Sequence, residues 1–201
     1  MEMEKETMNI LLSGTGGQGI VLASRIIALC AFKAGFEVKE SEIHGMAQRG
    51  GSVIGQVRFG KRVYSPSIPL GQAHIMLALE ELEALRYLHY LKEGATVILN
   101  HRQIPPASMD PSQYPHDIPQ RIKSRGFRVL EVNASEVAKN LGSSKVENTV
   151  LLGILSLFLP FEKRLWEETL KEAFPEKVLE INLKAFEEGV NLGEKILQSQ
   201  N

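Results

Sequence analysis

The chain has 201 residues, 43% of them hydrophobic and 23% charged, with 23 Lys and Arg against 24 Asp and Glu. That length suits one domain with a real core, and the balanced charge excludes a broad basic face for nucleic acid. The single cysteine, Cys30, can close no internal disulfide and cannot by itself ligate an iron–sulfur cluster. Met1 to Thr7 is charged and lacks the apolar stretch of a secretory signal, and the longest apolar run, Val150 to Leu159, is about half of the roughly 20 residues a membrane helix needs. A cytoplasmic protein without a membrane span is expected.

In chain order, Met8 to Leu12 is a short apolar run ending at Ser13-Gly14, and Gly19 to Ala34 is apolar on most faces, so strand, glycine turn and helix are predicted in succession. Gly35 suits a C-cap, and Phe36 to Ile43 alternates Phe36 and Val38 with charged neighbours, as a strand with one wetter face does. Ser52 to Phe59 reads as a further strand, and Gly60-Lys61 before Arg62-Val63-Tyr64 predicts a two-residue hairpin. Ala73 to Leu79 suits a strand buried on both faces. Leu82, Leu85, Leu88 and Leu91 predict a single helix over Glu80 to Lys92, ended by Gly94, with Ala95 to Leu99 as the next buried strand. His101 to Pro119, with five prolines, reads as a long surface loop. A short helix over Ile118 to Ser124, a strand over Phe127 to Val132 and a helix from Asn133 resume the alternation. The last third is helical over Asn148 to Leu159, Glu162 to Phe174 and Glu176 to Gln198, with Pro160 and Pro175 as breaks. The expected fold is α/β: a three-layer, Rossmann-like mixed sheet, mostly parallel with an antiparallel hairpin, and a helical C-terminal third, with residues 1–201 as one domain.

Gly14-Thr15-Gly16-Gly17-Gln18-Gly19 fits the G-x-G-x-x-G pattern and lies where it has physical meaning, between a strand and a helix. Gly14 allows a tight turn, Gly16 lets a phosphate approach the backbone, and Gly19 lets helix and strand pack closely with helix-terminal N–H groups facing an anion. Glu40 and Glu42 lie near the distance at which a dinucleotide site places its ribose-binding carboxylate, but in a charged strand face, and the expected hairpin breaks the repeated βαβ pattern. The same glycines also serve a plain tight crossing of strand and helix.

A second loop gathers His44, Gln48 and Arg49 among Gly45, Gly50 and Gly51, offering an imidazole, an amide and a guanidinium on permissive backbone. In a doubly wound sheet both loops leave parallel strands at the same edge, so they are candidates for one anion- or carboxylate-binding crevice. An alternative is that Arg49 makes a structural ion pair. His74, His89, His101 and His116 have no zinc-ligand spacing, no G-x-S-x-G elbow is present, and Cys30 sits in an apolar helix. The chain offers no catalytic set and no metal site of its own, which suggests a subunit completing another chain's site.

Asn9 to Gly19, Ser41 to Val53 and Lys145 to Gly153 together resemble the gamma-type domain of 2-oxoacid:ferredoxin oxidoreductases over nearly the whole chain. The His-Gly-Met-Ala-Gln lead into Arg49 is most similar to the indolepyruvate branch. The resemblance implies a thiamine-diphosphate enzyme that oxidatively decarboxylates arylpyruvates to aryl-acyl-CoA and reduces ferredoxin. This chain would be its smaller subunit, inactive without a large alpha subunit that carries the thiamine diphosphate and the iron–sulfur clusters. The glycine loop then suits the diphosphate of coenzyme A. A self-sufficient NAD(P)-dependent oxidoreductase and a nucleotide-sensing module without turnover are the alternatives.

Overall fold

The computed structural model describes residues 7–45 and 50–200. Six strands, β1 (Met8–Thr15), β2 (Glu37–His44), β3 (Ser52–Gly60), β4 (Ala73–Ala78), β5 (Leu91–Asn100) and β6 (Arg128–Val132), form one sheet in the order β2-β3-β1-β4-β5-β6. β1 pairs in parallel with β4, β4 with β5 and β5 with β6, whereas β3 runs antiparallel to both β1 and β2. The mixed, mostly parallel sheet expected from the sequence is present.

Alternation along buried strands sends side chains to two cores, one on each face of the sheet. Ile10 and Leu12 of β1, Ile75 and Leu77 of β4 and Ile98 of β5 enter one core. It is roofed by α1 (Ile20–Lys33), α4 (Ala134–Asn140), α5 (Glu147–Ser156), α6 (Lys163–Ala173) and α7 (Glu176–Ser199), which contribute Ile26, Ala138, Leu151, Trp166 and Phe186. Leu11, Met76, Val97 and Leu99 enter the other, covered by α2 (Glu81–Arg86) and α3 (Ile118–Lys123) through Ala84 and Ile122. The result is the three-layer arrangement with a helical C-terminal third. Among the described residues no helix is long and apolar enough to cross a membrane.

Two local expectations are corrected. Arg62-Val63-Tyr64 forms no strand: β3 already has β1 on one edge and β2 on the other, so it has no free edge for a third partner. The antiparallel hairpin is instead β2–β3. The leucine repeat after Glu80 also spans three elements rather than one helix, because α2 stops at Arg86, Leu88–Tyr90 is a 3-10 turn and β5 begins at Leu91. Leu88 and Leu91 bury in the same core from different backbone conformations. Gly94 sits inside β5 with φ of 69°, at an irregularity rather than a helix end. The proline-rich stretch is largely irregular, as expected, yet buries Tyr114.

Candidate functional site

The crossover from β1 through α1 goes to the β2 side of the sheet, whereas β4 lies on the other side of β1, so the connections diverge at the C-terminal ends of β1 and β4. Open α/β sheets bind ligands at such a divergence. Here β1 runs through Gly14 to Thr15, and a β-carbon on Gly14 would come 2.7 Å from Gln18 Oε1 and 3.1 Å from Leu79 Cβ. Only glycine lets the loop fold back this tightly against the end of β4. Gly19 caps α1 in the left-handed region, at φ 78°, with no side-chain cap, so the first-turn N–H groups of α1 face this edge.

Gln18 is fixed inside the loop. Its Oε1 accepts from the Thr15 N–H at 2.7 Å and the Thr15 hydroxyl at 3.1 Å, and its Nε2 donates to the Leu79 carbonyl at 2.9 Å. Thr15 and Gln18 therefore spend their polar groups on loop shape, leaving the backbone of Gly17 and Gly19 on the open side of the loop.

The second loop is joined to the first through the backbone. The Gly16 N–H donates to the Gly51 carbonyl at 2.8 Å, and the Gly50 N–H to the Gly16 carbonyl at 3.4 Å, with Gly50 at φ 70°. His44 lies 3.3 Å from Glu42 through Nε2 and lines a hollow of about 370 Å³ with Thr15, Gly16, Val21 and Val53. Gln48 and Arg49 lie outside the described residues.

On the other side of the glycine loop a cleft of about 300 Å³ is lined by Gly17, Gly19, Arg102, Lys145 and Asn148. Arg102 follows β5 at the same sheet edge, and Lys145 lies in the 3-10 turn Ser144–Val146 that leads into α5. Neither cation has an ion-pair partner among the described residues. Asn148 donates from Nδ2 to the Gly19 carbonyl at 3.4 Å, and a β-carbon on Gly19 would lie 2.5 Å from that nitrogen. Two cations, a glycine backbone and an uncapped helix start are groups of the kind that receive phosphates, and the Glu147 carboxylate lines the same cleft. Arg102 escaped the reading of the sequence because it lies in a proline-rich loop; its position directly after a buried strand is the signal that could have found it.

Nucleophilic chemistry has no support here. Cys30 is fully buried in α1, and burial pushes its thiol up to about 11. Among the described residues no group of three or more His, Cys, Asp or Glu is placed to hold a metal ion.

The sequence family described as pyruvate ferredoxin/flavodoxin oxidoreductase matches residues 9–192. The indolepyruvate oxidoreductase subunit IorB of Archaeoglobus fulgidus is 43% identical over 190 residues, covering 92% of this chain and 94% of the relative. Its counterpart in Thermococcus kodakarensis is 39% identical over 196 residues, covering 94% and 97%. Among solved structures, the gamma subunit of a keto/oxoacid ferredoxin oxidoreductase from Geobacter sulfurreducens superimposes with a TM-score of 0.72 at 25% identity, over 94% of this chain and 99% of that one. A 2-oxoglutarate:ferredoxin oxidoreductase from Magnetococcus marinus, with 2-oxoglutarate, coenzyme A and succinyl-CoA bound, gives a TM-score of 0.75 at 25% identity, over 96% of this chain and 32% of that one.

Proposed function

The chain belongs to the pyruvate ferredoxin/flavodoxin oxidoreductase family, and from that membership we propose that it is the smaller subunit of an arylpyruvate (indolepyruvate):ferredoxin oxidoreductase, with residues 1–201 as one gamma-type domain. The observation that carries the substrate class is a gap in identity. Relatives named as indolepyruvate oxidoreductase subunits are 38–43% identical, against 26% for a pyruvate/ketoisovalerate oxidoreductase gamma subunit and 27% for a 2-oxoglutarate synthase subunit. The reaction is oxidative decarboxylation of the 2-oxoacid to an acyl-CoA, with electrons passed to ferredoxin.

Thiamine diphosphate and the iron–sulfur clusters are assigned to the large partner subunit. The lone cysteine of this chain is a buried, protonated thiol unsuited to a cluster. Coenzyme A, the acyl acceptor, is assigned to the glycine cleft: its diphosphate would meet the N–H groups of Gly17, Gly19 and the first turn of α1, with Lys145 and Arg102 neutralising charge. The thiamine supplies the decarboxylation chemistry, and this chain's part is to bind and orient the acceptor.

The sheet order argues against the NAD(P) alternative. In a dinucleotide site the ribose-binding carboxylate ends the strand next to β1. Here β3 separates β2 from β1, so Glu40 and Glu42 stand two strand spacings away, about 10 Å rather than about 5 Å.

Reconstitution tests the reading: this chain with and without its candidate large subunit, supplied with indolepyruvate, coenzyme A and a viologen acceptor. Acyl-CoA formation only in the mixture is expected. Oxidation of NAD(P)H by the isolated chain would overturn the assignment.

A further inference from the structure

Ser52 opens β3 where the two loops meet. It pairs with Thr15 of β1, its carbonyl accepts from the Gly45 N–H at 3.0 Å, and its neighbour Gly51 accepts from the Gly16 N–H. Its hydroxyl turns to the opposite face of the sheet, donating to Glu83 Oε2 at 2.5 Å and lying 2.8 Å from the Tyr87 hydroxyl. The Glu83 side chain is only 4% exposed; its other oxygen is 3.3 Å from Arg86 Nε. A buried carboxylate is costly unless its oxygens are bonded, and packing does not call for one here, since α2 docks through Ala84.

We infer that Glu83, acting through Ser52, is a positioning residue for the glycine cleft. The Ser52–Glu83 bond ties the start of β3 to α2, which fixes the Gly51 carbonyl. That carbonyl holds the Gly16 N–H, and with it the course of Gly16 to Gly19 that aims the α1 N–H groups. A loop held in its binding shape loses little freedom when the ligand arrives. Released, it has to be ordered by the ligand, and affinity falls. This inference rests on coenzyme A occupying the cleft; decarboxylation in the partner subunit does not depend on the bond.

The test uses the assembled complex, with KM for coenzyme A, KM for the 2-oxoacid and kcat measured for Ser52→Ala, Ser52→Thr, Glu83→Gln and Gly16→Val. Loss of one bond to a charged acceptor predicts that Ser52→Ala raises KM for coenzyme A about tenfold, with kcat and the 2-oxoacid KM within about twofold. Ser52→Thr keeps the hydroxyl and restores the wild-type value, while Glu83→Gln, whose amide oxygen still accepts, falls between. A general structural defect would instead lower kcat and raise both KM values together, which overturns the positioning role. If Gly16→Val raises KM for coenzyme A and Ser52→Ala does not, the positioning role alone fails. If neither variant moves it, the coenzyme A reading fails as well.

Discussion

Gly153 and Gly189 face each other across the crossing of α5 and α7 with no room for a side chain on either: a β-carbon on Gly189 would overlap the Val150 carbonyl oxygen, and one on Gly153 that of Phe186. Backbone meets backbone, so no rotamer can relieve the clash. Alanine at position 189 would gain about 1 kcal/mol in helix propensity, but forcing the helices apart costs about 3 kcal/mol. Gly189→Ala is expected to destabilise the chain by about 2 kcal/mol, read as a lower urea midpoint at unchanged m-value. An unchanged midpoint would show that the helices part freely.

Lys145 has no ion-pair partner among the described residues and lines the cleft beside Gly17 and Gly19. Lys145→Ala in the assembled complex is expected to raise KM for coenzyme A about tenfold, the loss of one charge-assisted contact, and to make that KM less sensitive to salt. Equal salt sensitivity in variant and parent would place the phosphates elsewhere.

Burial pushes the Cys30 thiol up to about 11, so at pH 8 the thiolate fraction is about one in a thousand. Iodoacetamide is expected to leave the native chain unmodified over an hour, and to add one adduct once the chain is unfolded. Intact mass measured before and after denaturation decides it. Rapid modification of the folded chain would contradict the burial.

Glu80 is fully buried, and desolvation raises its carboxyl above the usual range, partly opposed by bonds from Tyr114 and the Ile104 and Glu83 amides. A folded-state value raised above the unfolded one means that the native state holds the proton more tightly. Its contribution is complete below the ordinary carboxylate range and declines as pH rises through the raised value. Glu80→Gln carries no such titration. The difference in Tm, variant minus parent, should therefore climb as pH rises above the ordinary carboxylate range. Parallel Tm curves would mean that Glu80 ionises in the folded chain as it does in the unfolded one.

Legibility followed the range of the interactions. The glycine loop, the strand before it and the helix after it are local events, written in an apolar run and permissive backbone; the helix lies within a residue of its expected bounds, while the strand continues three residues past Leu12 to Thr15. The C-terminal helices were equally plain, because Pro160 and Pro175 punctuate them. The hairpin at Gly60-Lys61 failed because local turn chemistry cannot report that β3 already has two neighbours. The leucines after Glu80 failed because burial alone does not distinguish helix, 3-10 turn and strand. Within the candidate site, the glycines were visible as a pattern, whereas the inward use of Gln18 and Thr15, and the approach of Arg102, depend on strands that are neighbours in space and remote in sequence.

The placement of β3 also governs how the first third of the chain folds. Among the described residues strand β2 is an edge strand whose only sheet neighbour is β3, and β3 is the later of the two to be synthesised. Until β3 is made, β2 has no ladder to join, and the hairpin they form reaches the rest of the sheet through β3 against β1, about 44 residues earlier in register. Any loosening of β3 from β1 therefore carries β2 away from the sheet with it, whereas β1 keeps its ladder to β4.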